Sequence, residues 1–134
     1  MKSLPQLLGL ALVPIVVAAC AATAPVRPSL GQAGQLAHAV FFDLADDGQA
    51  AALVADCHRR LSTIPGVLLL EAGTRAPEFS GLRNNGRFDV ALWVLFEDRA
   101  AHDTYQVHPE HRALVEEWTP RLAGVEVYDA WLSD

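Results

Sequence analysis

Apolar side chains fall on every second position from Arg87 to Phe96. Phe88, Val90, Leu92, Val94 and Phe96 take one face, and Asp89, Ala91, Trp93 and Leu95 take the other. A period of two marks a strand, and Asn85-Gly86 just before it marks a tight turn. Leu36 to Leu44 alternates in the same way, with His38, Val40 and Phe42 on one side and Ala39 and Phe41 on the other. Val67 to Thr74 is apolar on both faces for most of its length and predicts another strand. Leu122 to Leu132 predicts a fourth. The period changes between these segments. From Ala50 to Leu61 the apolar residues Leu53, Val54, Cys57 and Leu61 recur at helical spacing, behind the capping group Asp46-Asp47-Gly48-Gln49. A short helix is expected from Asp98 to Gln106, with acidic groups near its first turn. Val107 and His108 leave that helix, because a residue before proline is pushed out of the α region. Pro109 then opens a second helix that runs to Pro120.

The order β-α-β-β-α-β is the split arrangement of ferredoxin-like domains. The fold class expected is α+β: a four-stranded antiparallel sheet with helices on one face. Because the strands are apolar on both faces, Phe41, Trp93, Val125 or Trp131 is expected on the uncovered face. Such a patch predicts a homodimer that packs sheet against sheet.

Residues 1–19 change the picture of location. Met1-Lys2 precedes an apolar run from Leu4 to Ala19, shorter than the roughly 20 residues a membrane-spanning helix needs. The run reads as a signal peptide. Val17-Ala18-Ala19-Cys20 resembles a bacterial lipobox, in which Cys20 is lipidated after cleavage, and cleavage a few residues later is the alternative. Ala21 after the cysteine resembles the outer-membrane sorting class, so an envelope lipoprotein facing the periplasm is expected. Residues 20–35, with Pro25, Pro28, Gly31 and Gly34, read as a tether, and residues 36–134 as the domain. Without Lys2 the chain has nine arginines against 16 acids, a formal charge of −7. That balance disfavours a nucleic-acid partner. Cys57, alone once Cys20 is lipidated, reads as a small buried hydrophobe.

Candidate chemistry gathers in Ala101 to His111, which holds three of the five histidines and one of the two tyrosines. His108 and His111 flank a helix N-terminus, whose field disfavours the imidazolium and leaves a neutral base or acceptor. A structural reading stands beside this one: His108 caps the second helix, and Tyr105 is a core residue with its hydroxyl satisfied. His38 either looks into the same cavity or is satisfied at its strand end. A metal reading from His102, Asp103, His108 and His111 lacks the Cys/His pairs or His-Glu-x-x-His pattern of a zinc site, so no metal and no cofactor is assigned. No Gly-x-Ser-x-Gly nucleophile elbow is present.

The segments His38-Ala39-Val40-Phe41-Phe42, Leu61 to Val67, Asp89-Val90-Ala91-Leu92, Val127-Tyr128-Asp129 and above all Tyr105-Gln106-Val107-His108-Pro109-Glu110-His111 resemble the stress-responsive A/B barrel (dimeric α/β-barrel) proteins. The resemblance spans Leu36 to Trp131. It implies a ferredoxin-like protomer whose sheet joins a partner's in a dimeric α/β barrel, and a pocket between sheet and helices. A plant member is a polyketide cyclase whose catalytic tyrosine and histidine match Tyr105 and His111. Its further histidines match His38 and His108. By that resemblance His111 is the base, Tyr105 the donor to an enolate or carbonyl oxygen, and His38 and His108 line the ligand pocket. Some members bind a divalent ion near the dimer contact, for which no residue here is matched. Three expectations follow. The first is an envelope lipoprotein that binds a small apolar or aromatic ligand. The second is a cyclase-like or other acid/base enzyme. The third is a structural or interaction lipoprotein.

Overall fold

The computed structural model describes residues 29–133. The expected signal peptide, the lipidation site Cys20 and the start of the tether lie outside the described residues. Strands β1 (Leu36–Leu44), β2 (Val67–Thr74), β3 (Val90–Phe96) and β4 (Leu122–Trp131) alternate with helices α1 (Ala50–Leu61), α2 (Arg99–Val107) and α3 (Pro109–Trp118). The strands form one antiparallel sheet in the order β2-β3-β1-β4. Among the described residues no helix is long and apolar enough to cross a membrane.

The expected ferredoxin-like order is present, but the closed α/β barrel is not. The sheet is open, with β2 and β4 as its two edges. The reason is geometric. Strands about 4.8 Å apart give four of them too small a circumference to enclose side chains, since a barrel of about eight strands only just holds a filled interior. The closed barrel expected from the family resemblance is therefore replaced by an open sheet layered with helices on one face.

The covered face carries the core. Leu36, Val40, Phe42 and Leu44 of β1 pack with Val90, Leu92, Val94 and Phe96 of β3. Leu53, Cys57 and Leu61 of α1, Tyr105 of α2, and Leu114 and Trp118 of α3 close over them. Burying each large apolar side chain contributes about 1.5–3 kcal/mol. Cys57 is fully buried, and burial pushes its thiol up to about 12, so it is the inert small hydrophobe that its place in the apolar stripe of α1 predicts.

Two placements differ from the sequence pattern. Val125 and Trp131 pair with Phe42 and Leu36 in register, which puts them on the helix-bearing face, not the open one. They are nevertheless exposed, as is Val127 between them, because the helices pack over β2 and β3 and stop short of the β4 edge. The second difference is that β3 starts at Val90, not Arg87. The Arg87 N–H donates to Asn85 Oδ1 (3.0 Å) and so belongs to the turn. Asp89 ties the sheet end together: its N–H donates to the Phe42 carbonyl, its carbonyl accepts from Arg75, and Oδ2 accepts from the Leu44 N–H, all at 2.8 Å.

Gly66 sets where α2 lies. It has φ +85°, and an added Cβ would sit 2.4 Å from Ala101 Cβ, so only glycine lets α2 approach this closely. The Glu97 N–H donates to the Gly66 carbonyl at 3.0 Å, and Asp98 Oδ1 then caps α2 by accepting from the Ala101 N–H at 2.8 Å.

Candidate functional site

The proline at 109 produces the corner that the sequence predicts. His108 is extended (φ −63°, ψ 137°), ending α2 and starting α3. Its Nδ1 accepts from the Glu110 N–H at 3.3 Å, so His108 caps α3. That is its structural role, and it holds the α2–α3 junction that presents His111.

Tyr105 and His111 meet across this junction. Their rings lie 4.5 Å apart, and the Tyr105 ring also meets Phe96 edge-on at 4.9 Å. Tyr105 is 1% exposed. Burial pushes its phenol well above the ordinary tyrosine value, so at neutral pH it keeps its proton and remains a donor. His111 is half-buried, and its Nδ1 lies 3.2 Å from the Gln106 carbonyl oxygen. A carbonyl only accepts, so Nδ1 carries the hydrogen and Nε2 keeps its lone pair. Burial lowers the His111 pKa; the bond to Gln106 partly opposes this, and the nearby imidazoles of His38, His102 and His108 add to it. His111 is thus a neutral imidazole of fixed tautomer beside a buried phenol.

His38 comes from the sheet below. Strand register places it directly opposite Asp129 of β4, on the helix-bearing face. Its Nδ1 lies 2.6 Å from Asp129 Oδ1, and the carboxylate fixes which ring nitrogen donates. The His38 ring lies 6.3 Å from that of Tyr105 and 5.7 Å from that of His102. His102, one turn before Tyr105 on α2, packs edge-on against Phe96 at 5.3 Å. Its Nδ1 donates to Asp103 Oδ1 (3.3 Å), and its Nε2 accepts from the Gln106 side-chain amide (3.1 Å).

The structure therefore brings His38, Tyr105 and His111 to one place under α2 and assigns His108 to the cap. The sequence pattern does not single out Asp129 and His102 as partners of His38. One signal for Asp129 was available: on β4 it shares the period-two face of Val125, Val127 and Trp131, where a carboxylate needs a partner. His102 carries no comparable signal, since its neighbour across space is a strand more than 60 residues away in sequence. The grouping of His102 with Asp103, His108 and His111 is replaced by one of His102 with His38 and Asp129.

An apolar cavity of about 130 Å³ opens between α3 and β4, lined by Phe42, Leu114, Val115, Trp118, Leu122 and Val125. A larger one, about 470 Å³, lies at the β2–β3 loop among Phe41, Arg75, Phe79, Arg83 and Phe88. It includes the open-face residue Phe41 and none of the histidines.

Known proteins resemble the chain chiefly in fold. A Dabb family protein with a ferredoxin-like fold from Mesorhizobium loti is 24% identical, with a TM-score of 0.63 over 75% of this chain and 99% of that one. A dimeric ferredoxin-like protein of unknown function from Thermobifida fusca is 23% identical, with a TM-score of 0.62 over 73% of this chain and 91% of the other. The hydroxynitrile lyase of Passiflora edulis is 17% identical, with a TM-score of 0.62 over 75% and 94%. No curated protein matches the chain in sequence. The stress responsive A/B barrel domain matches residues 36–132, which cover the whole sheet, all three helices and every group of the site. The chain belongs to the stress responsive A/B barrel domain family.

Proposed function

We propose that this protein is an acid/base enzyme acting on a small, largely apolar carbonyl compound, with His111 as base and Tyr105 as hydrogen-bond donor. One observation carries the reading: an imidazole with Nδ1–H committed to Gln106 and Nε2 unprotonated lies 4.5 Å, ring to ring, from a buried phenol that keeps its proton. Nε2 of His111 removes a proton alpha to the carbonyl, and the Tyr105 hydroxyl donates to the enolate oxygen as charge develops there. Returning the proton to carbon completes the exchange. His38, oriented by Asp129, positions the ligand from the sheet side. The same fold in a hydroxynitrile lyase supports a proton-transfer reading by analogy of fold alone.

Two further parts belong to the proposal. The open sheet face, with Leu69, Trp93 and Tyr128 exposed beside Phe41, pairs with a second copy, as relatives described as dimeric suggest. Cys20 carries a lipid that holds the domain at the envelope, on the periplasmic side of the outer membrane.

The test is hydrogen–deuterium exchange at the alpha carbon of a panel of aryl and alkyl ketones in D2O, followed by NMR. The expected result is catalysed exchange that falls by about 10²-fold or more in His111→Gln and in Tyr105→Phe. Ligand-induced stabilisation without exchange would replace this reading with a binding protein that does no chemistry. Neither exchange nor stabilisation across the panel would leave a structural or interaction role.

A further inference from the structure

We infer that His38, His102 and Asp129 form a binding site for a divalent transition-metal ion where β1, α2 and β4 meet. One nitrogen from each imidazole and one carboxylate oxygen lie within 4.8 Å of one another. They come from three separate elements, β1, α2 and β4. Two imidazoles and a carboxylate are the donor set that suits zinc, iron, cobalt and nickel, and a three-ligand set leaves coordination positions open for water or substrate.

Geometry and mobility fit that use. Metal–nitrogen and metal–oxygen bonds of about 2.0–2.2 Å require the three donors to draw together from their present spacing. His38 is the rigid member, its side chain only 6% exposed within the sheet, whereas the side chains of His102 and Asp129 are 18% and 47% exposed. The two more exposed groups can close on the fixed one without disturbing the core. The half-exposed Asp129 also leaves the site an entry path from solvent.

The surroundings match what a metal-ligating histidine needs. Such a histidine donates its other ring N–H to a carboxylate or carbonyl, which fixes the tautomer. His102 does so through Nδ1 to Asp103, leaving Nε2 as an acceptor that now faces only the Gln106 amide. A bound ion would take the place of that amide. An ion between His38 and Asp129 would take the place of the hydrogen that Nδ1 donates to Asp129.

This site is distinct from the Tyr105–His111 pair, and its existence does not depend on the acid/base reading. Asp129 lies on the helix-bearing face, so the site is also separate from the open face proposed to pair with a second copy. Bound there, an ion would lie near Tyr105, whose ring is 6.3 Å from that of His38, and would supply Lewis-acid character beside the acid/base pair.

The test uses the purified full-length chain without a histidine tag, stripped of metal and titrated with Co²⁺, with visible absorption and metal content measured together. Expected are one Co²⁺ per chain with ligand-field bands, competition by Zn²⁺, and loss of stoichiometric binding in His102→Gln and Asp129→Asn. Asp103→Asn should weaken binding by about 10–100-fold. Tyr105→Phe should bind Co²⁺ normally even where it abolishes exchange, which separates failure of this site from failure of the acid/base pair. Circular dichroism confirms folding, and His102→Phe is the second variant if His102→Gln does not fold. Binding of less than one ion per chain, or binding unchanged in a folded His102 variant but lost in His58→Ala, would overturn the site.

Discussion

Trp93 and Val94 are neighbours on β3, yet Trp93 is 48% exposed and Val94 only 2%. Both faces of the sheet carry large apolar side chains but differ in what covers them. On one face, α1, α2 and α3 seal Val94, Leu92 and Phe96 beneath their own apolar stripes. On the other, Trp93 and Tyr128 each pack edge to face against Phe41, and among the described residues no helix covers them. Hydrophobicity decides that a surface must be covered, but the number of helices available decides which surface the chain itself can cover. The chemistry follows the same division. On the covered face, burial lowers the His111 pKa and raises that of the Tyr105 phenol. The polar groups near the open face, such as the arginines of the β2–β3 loop, remain in water.

The sharpest way to break this comparison is to remove one large residue from each face. Phe96→Ala should destabilise the protein by about 3–5 kcal/mol, measured by denaturant unfolding, because it empties a site touched by β1, α2 and the His102 and Tyr105 rings. Trp93→Glu should leave the monomer's unfolding free energy within about 1 kcal/mol of the wild type, while converting a dimer to a monomer in sedimentation. A large loss of monomer stability in Trp93→Glu would mean that the open face belongs to the core of a single chain after all.

The smallest expected effect is on pH. His111 has a folded pKa below its ordinary value, so the unfolded chain takes up its proton first as the pH falls. Stability should therefore decline as the pH drops below about 6.5 and level off once the folded state also protonates. His111→Gln should flatten that part of the curve in thermal melts at fixed ionic strength. An unchanged slope would show that another histidine controls it.

Most of the fold was legible in local pattern. The period-two runs, the change to helical spacing at Ala50, and Pro109 at the first turn of a helix each depend only on near neighbours, and each reappears in the structure. The corner at His108 was readable for the same reason, since the clash that expels a residue before proline from the helix lies within one peptide unit. Other features were not local. The face taken by Val125 and Trp131 depended on strand register and their exposure on how far the helices reach across the sheet, and the open sheet depended on the strand count and on which strands form its edges. The partnership of His38 with Asp129 needs β4 in register beside β1, 91 residues away, and that of His38 with His102 needs α2 seated against Gly66. The sequence by itself determined the elements, their order and the residue types able to do chemistry. Only the tertiary structure decided which of those residues meet, because a side chain's neighbours across a sheet are set by register and helix packing and not by spacing along the chain.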